Sequence, residues 1–225
     1  MKINKIALSL ILLSFAASSA HSALITLNNG ASATASGIQT EDGLTFRGGT
    51  TAGDSLGGTN GGISAGPGAI AFGIFTTTIT QDTTDFSSFV PFGNILEFSA
   101  AGAFGNRSVF SLPQNVTVAA SVFAGKNIIL FAGNGTSFAN STQALVVDTG
   151  IAFNSVSDAN PSPTSFTVRP SNSSILFGSA ASNVLTTNTD TSVTEGWSMK
   201  TIVPEPSAAL LGALGALGLL RRRRA

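Results

Sequence analysis

Residues 23–202 predict an all-β body, an antiparallel β-sandwich of the jelly-roll kind. Three observations carry this expectation. Apolar residues alternate with small or polar ones at a period of two; short apolar runs recur without a helical stripe; and turn-forming clusters separate them roughly every 10 residues. In chain order, Ile70, Phe72 and Ile74 alternate with Ala71 and Gly73, the pattern of a strand with one face in a core. Val116, Val118, Ala120 and Val122 alternate with Thr117, Ala119 and Ser121, which predicts a central strand with Val118 pointing inward. The runs at 128–131, 145–147 and 175–177 are apolar throughout and predict strands buried on both faces. Between them fall Gly125-Lys126-Asn127, Asn134-Gly135, Asp158-Ala159-Asn160-Pro161 and Pro170-Ser171-Asn172. These are residues that accept positive φ, fix φ, or bond to their own backbone.

The core material is phenylalanine. The chain has 16 Phe, one Trp and no Tyr, and only Phe15 lies near the N-terminus. Phe fills space between sheets without a polar group that needs a buried partner. Residues 48–68 depart from the rest, with 9 glycines in 21 positions, and are expected to form a long surface loop. Alternating threonines at Thr76, Thr78 and Thr80, and at Thr187, Thr189 and Thr191, would present a flat row of hydroxyls if each set lay on a strand.

Both ends differ from the body. Lys2 and Lys5 precede the apolar stretch 6–17, and Ala20-His21-Ser22 supplies small residues at an A-x-S signal peptidase site. Residues 1–22 therefore predict a cleavable signal peptide, with a cut after Ala20 as the alternative to a cut after Ser22. At the other end, residues 207–220 are 14 positions without a charge, followed by Arg221, Arg222, Arg223 and Arg224. As a helix this run spans about 21 Å, short of the ~30 Å hydrocarbon core of a bilayer. The four arginines act as a cytoplasmic stop signal, because Lys/Arg flanks stay inside, and their long side chains reach the interface. The expectation is a short C-terminal transmembrane helix over 208–220. Pro204 and Pro206 fix their own φ and bias Val203 and Glu205 to extended backbone, so such a helix cannot grow back into the body.

The order of Val203-Pro204-Glu205-Pro206-Ser207, apolar run and arginine cluster resembles the C-terminal tail of the PEP-CTERM family. The resemblance covers residues 203–225. It implies an exported protein of a Gram-negative-type bacterium, held briefly in the inner membrane by its tail, cut near the motif by an exosortase-like membrane protease, and released to the cell surface or extracellular matrix. Signal peptidase and exosortase would be its transient partners, and extracellular polysaccharide a further one.

Composition excludes several chemistries. There is no cysteine, so disulfides and thiolate metal sites are ruled out, and the one histidine, His21, sits at the predicted signal cleavage site. A cut after Ser22 leaves no histidine for a Ser-His-Asp triad or an imidazole-ligated metal. Between residues 23 and 203 lie 5 basic and 10 acidic side chains, a net charge of 5 − 10 = −5, which argues against nucleic acid as a partner. Gly62-Ile63-Ser64-Ala65-Gly66 spells a nucleophile elbow, but Ser64 has no neighbouring base and no following helix. Asp82, Asp85, Glu97, Asp148, Asp158, Asp190 and Glu195 are the carboxylates available to a glycan-cleaving site, and their spacing pairs none of them. Asp82 and Asp85 are also potential calcium ligands without any loop motif. The expectation is a non-enzymatic exported protein without a cofactor, with a glycan-binding or glycan-cleaving module as the alternative.

Overall fold

A computed structural model describes residues 21–29, 35–56, 62–98, 110–118, 122–153, 164–185 and 193–203. The apolar stretch of the expected signal peptide, Ala20, Asp158, Asp190, Thr187, Thr189 and Thr191, and everything from Pro204 onward lie outside these residues. The described chain is all-β, with two single-turn 3-10 segments, Phe138–Asn140 and Pro170–Asn172, as its only helical turns. Among the described residues no helix is long and apolar enough to cross a membrane.

The strands are β1 His21–Asn28, β2 Ile38–Gln39, β3 Ala69–Phe75, β4 Phe89–Pro91, β5 Leu96–Glu97, β6 Ser111–Val118 and β7 Asn127–Gly133. They continue as β8 Gln143–Ala152, β9 Thr164–Thr167, β10 Ser174–Phe177, β11 Ser179–Leu185, β12 Val193–Ser198 and β13 Lys200–Thr201. The largest sheet runs β10-β8-β7-β3-β4, with β13 also on β8 and β5 also on β3. Two three-stranded sheets, β6-β1-β9 and β11-β12-β2, accompany it. Most pairs are antiparallel, but β1 with β9 and β12 with β2 are parallel, a departure from the purely antiparallel expectation. Parallel pairing needs a long return connection, and both pairs join strands far apart in sequence.

β7 shows why the large sheet is the centre. Its apolar run alternates between two clusters. Ile128, Leu130 and Ala132 enter the main core, while Ile129 and Phe131 enter a second cluster on the opposite face. The run is therefore buried on both sides, as its uninterrupted apolar sequence predicts. The main core draws on all three sheets, through Ile25 and Leu27 of β1, Leu112 of β6, Phe72 of β3, Ile38 of β2 and Trp197 of β12. Rings stack within it, with Phe46 and Phe98 at 4.7 Å between centroids. The second cluster is half phenylalanine, with Phe131 stacked on Phe138 at 4.0 Å and edge-on to Phe75 and Phe89.

Several expectations are corrected here. β6 begins at Ser111 and lies at an edge of its sheet, so the alternation from Val116 marks only its second half and not a central strand. Val122 falls in a turn and is exposed. β10 is an edge strand, with Ile175 and Leu176 only half-buried. The threonines at 76, 78 and 80 follow the end of β3 in irregular chain and form no strand row.

The described parts of the glycine-rich stretch, residues 48–56 and 62–68, are tied to the body and do not form a free surface loop. Thr45 bridges Ser64, Ser55 bridges Ile63, and Ala65 N–H donates to Thr45 O at 2.9 Å. Leu56 and Ser64 are buried. Glycine makes this packing possible by close approach. Gly68, at φ +58°, passes Phe46 and Phe98 so tightly that a Cβ there would lie 2.6 and 2.8 Å from their rings.

Candidate functional site: the edge where the chain leaves the body

The last described strand changes sheets. Trp197 N–H donates to Gly37 O and Met199 N–H to Gln39 O, on the β2 side. Lys200 and Thr201 then pair with Ala144 and Gln143 of β8, and Ile202 N–H donates to Thr142 O at 2.8 Å. β13 thus lies along the same edge of β8 as β10, and the backbone is tied to the sheet up to residue 202. Val203, next in line, is 65% exposed.

Side chains clasp this strand from both flanks. Glu41 Oε2 accepts from Thr201 N–H at 2.9 Å and from the Thr201 hydroxyl, while Glu41 N–H donates to Gln143 Oε1 at 2.8 Å. The Thr201 hydroxyl, then its N–H, holds the Glu41 carboxyl below the ordinary glutamate range. Lys200 Nζ donates to Gln81 O and lies 5.3 Å from the centre of the Phe177 ring. Gln81 in turn donates from Nε2 to Gly178 O at 3.0 Å.

Beside Ile202 opens a cleft of about 370 Å³. Phe86, Asp85, Phe138, Ala139 and Ser141 line it together with Ile202. Phe86, Phe138 and Ile202 are half-buried members of the rim of the aromatic cluster. Asp85 is already engaged. Ser87 N–H and then the Ser87 hydroxyl donate to its carboxylate, at 2.8 and 2.9 Å, and hold it below its ordinary range.

This edge is where a matched motif begins. Residues 203–224 match the family model of the PEP-CTERM protein-sorting motif. The tail carries that sorting signal. The PEP-CTERM motif implies export, transient anchoring in a membrane and processing by exosortase, a membrane enzyme. Its first residue, Val203, directly follows the last backbone bond to the sheet, so the folded body and the motif are joined without a linker. No curated protein and no solved structure matches the chain.

At the other end, β1 takes in both residues of the predicted cleavage site that are described. His21 pairs with Val118 and Ser22 with Thr117. A cut after Ser22 removes two paired positions from β1, whereas a cut after Ala20 leaves the strand whole.

The remaining candidate residues are scattered. Ser64 is fully buried. Its Oγ accepts from Gly66 N–H at 3.0 Å and lies 2.8 Å from the Thr50 hydroxyl, which itself donates to Arg47 O. The Ser64 proton is therefore committed to Thr50 Oγ1, in a chain of bonds that ties the glycine-rich stretch together. Asp148, on β8, accepts from Asn127 Nδ2 at 2.9 Å and from Gly150 N–H at 2.8 Å. Glu97 ends β5 and Glu195 lies on β12, both exposed. Asp82 and Asp85 lie in the chain between β3 and β4, and among the described residues no three His, Cys, Asp or Glu side chains gather to hold a metal ion.

Sequence reasoning missed Glu41, Gln143 and Gln81. Glu41 and Thr201 are 160 positions apart, and no local pattern marks either one.

Proposed function

We propose that the chain is a precursor of an exported, non-enzymatic protein of the cell surface or extracellular matrix, delivered and released through its C-terminal tail. The observation that carries this reading is the sorting motif at 203–224. In this reading signal peptidase frees the N-terminus at Ala20 or Ser22, and the apolar run 208–220 lodges in the inner membrane. Arg221, Arg222, Arg223 and Arg224 hold its end on the cytoplasmic side. The exosortase-type protease then cuts near Pro204-Glu205-Pro206, and the released body is a β-sandwich with a phenylalanine core.

Two features of the body support a structural role. Its one nucleophile-elbow sequence is used as a packing device, with the Ser64 hydroxyl bonded to Thr50 and Gly66. Its charge is low, and Asp85 and Asp148 are both bonded to neighbouring groups. Extracellular polysaccharide is the partner that a sparsely charged, Ser- and Thr-rich exported body suits.

The reading is tested at the stop signal. Replacing the four terminal arginines with serine removes the charge that orients the tail. The precursor should then fail to stay in the inner membrane and should lose processing at the motif. Unchanged retention and processing would contradict the reading.

A further inference from the structure

We propose that, while the precursor is tethered, the cleft beside β13 rests on the lipid surface, with Phe86, Phe138, Ile202 and Val203 turned to the headgroups. The inference rests on the membrane-inserted tail of the preceding section and adds to it which face of the body meets the bilayer.

The argument is one of reach. Ile202 is fixed to the sheet through Thr142 O, Thr201 through Glu41 and Lys200 through Gln81, so the last described tie to the sheet is at Ile202. The apolar run starts at Ala208, five residue steps after Val203, which is at most about 18 Å of fully extended chain. Pro204 and Pro206 fix their own φ and bias Val203 and Glu205 to extended backbone, which does not lengthen this reach. The headgroup layer takes up roughly 5–7 Å of that span on each side of a bilayer. Val203 is therefore held within roughly 11–13 Å of the headgroups, and the cleft beside it is brought to the membrane by the same short tether.

Those elements have the chemistry for that position. Val203 is largely exposed, and Ile202, Phe86 and Phe138 are only half-buried on the rim of the aromatic cluster. Aromatic rings at a headgroup boundary keep their apolar faces out of water. The contact need not be strong in its own right, because a short tether makes it intramolecular and raises its effective concentration to the millimolar range. Among the described residues that line the cleft the acidic one, Asp85, already accepts from Ser87, so bringing it near a lipid surface leaves it no new unmet bond.

Since the chain has no cysteine, single labels are clean. Ala139→Cys and Thr84→Cys place an environment-sensitive dye on exposed positions at the cleft. Ala152→Cys places it at the other end of β8, nine residues from Gln143 and so about 30 Å away along the strand. The signal-processed precursor with its tail is mixed with phosphatidylethanolamine–phosphatidylglycerol vesicles, beside the same chain ended after Val203. The precursor should float with the vesicles. Its dye at 139 or 84 should shift to the blue and be quenched at least twofold by headgroup spin-labelled lipid, while the dye at 152 and all dyes on the shortened chain stay unchanged. A precursor that floats while its dyes at 139 and 84 report water, as at 152, overturns the inference and leaves the tail reading intact. A precursor that does not float overturns the tail reading and the inference with it.

Discussion

β7 and β13 are neighbours of the same strand, β8, yet they are held by opposite means. β7 lies inside its sheet, paired on both edges, and sends Ile128 and Leu130 to one apolar cluster and Phe131 to the other. β13 is two residues long, lies on an outer edge, and is fastened by exposed polar groups, Glu41 and Gln81. Burial on two faces makes β7 expensive to disturb, whereas exposed hydrogen bonds compete with water and contribute little each. The body is thus firm at its centre and lightly fastened at the point where the sorting motif begins.

The largest effect should come from Phe131. It is 1% exposed and meets Phe75, Phe86, Phe89 and Phe138, so Phe131→Ala removes the hub of the second cluster. A loss of about 3–5 kcal/mol by chemical denaturation is expected from lost transfer energy and the cavity left. A loss under about 1 kcal/mol would show that the cluster is not a rigid core.

Gly68→Ala comes next. Its Cβ would press on both Phe46 and Phe98, and φ +58° already disfavours a side chain. A loss of roughly 1–3 kcal/mol is expected, and a neutral result would mean that the stacked pair yields freely. Ser64→Ala should cost about 0.5–1.5 kcal/mol, because it breaks the chain from Gly66 N–H to Thr50 in a buried place. A surface-loop serine would cost nothing measurable, so this substitution separates a packed glycine-rich stretch from a free one. Reactivity of Ser64 with a fluorophosphonate probe would overturn its structural role.

The smallest effect is local. Glu41 has its carboxyl held below the ordinary range, so its hold on Thr201 is present above about pH 4.3 and is lost as pH falls through the lowered folded value. The amide protection factor of Thr201 in hydrogen exchange should fall on acidification in the native chain. In Glu41→Gln it should be lower and flat with pH. Global unfolding should hardly change. A Thr201 amide as protected in the variant as in the native chain would remove Glu41 from the clasp.

The same contrast explains what was legible in the sequence. The run at 128–131 is apolar throughout, and that fact alone places it between two apolar layers. The tail is legible for a related reason: a motif, an uncharged run and four arginines lie in one unbroken stretch, and each has a local physical meaning. The packed glycine-rich stretch was missed because few of its side chains are apolar. Its order comes from bridges to Thr45 and from the tight pass by Phe46 and Phe98. The clasp was missed because Glu41, Gln143 and Thr201 meet only after the chain has crossed between sheets. Edge positions of β6 and β10 were misjudged for a similar reason, since strand order is a property of the whole sheet and not of any one apolar run.

The most direct test of the central claim, that the tail sorts the body and is then removed, is the intact mass of the protein outside the cell. The mass should correspond to a chain that begins between His21 and Ala23 and ends close to Pro204-Glu205-Pro206, with β13 retained. An extracellular species that still carries Arg221, Arg222, Arg223 and Arg224 would contradict it.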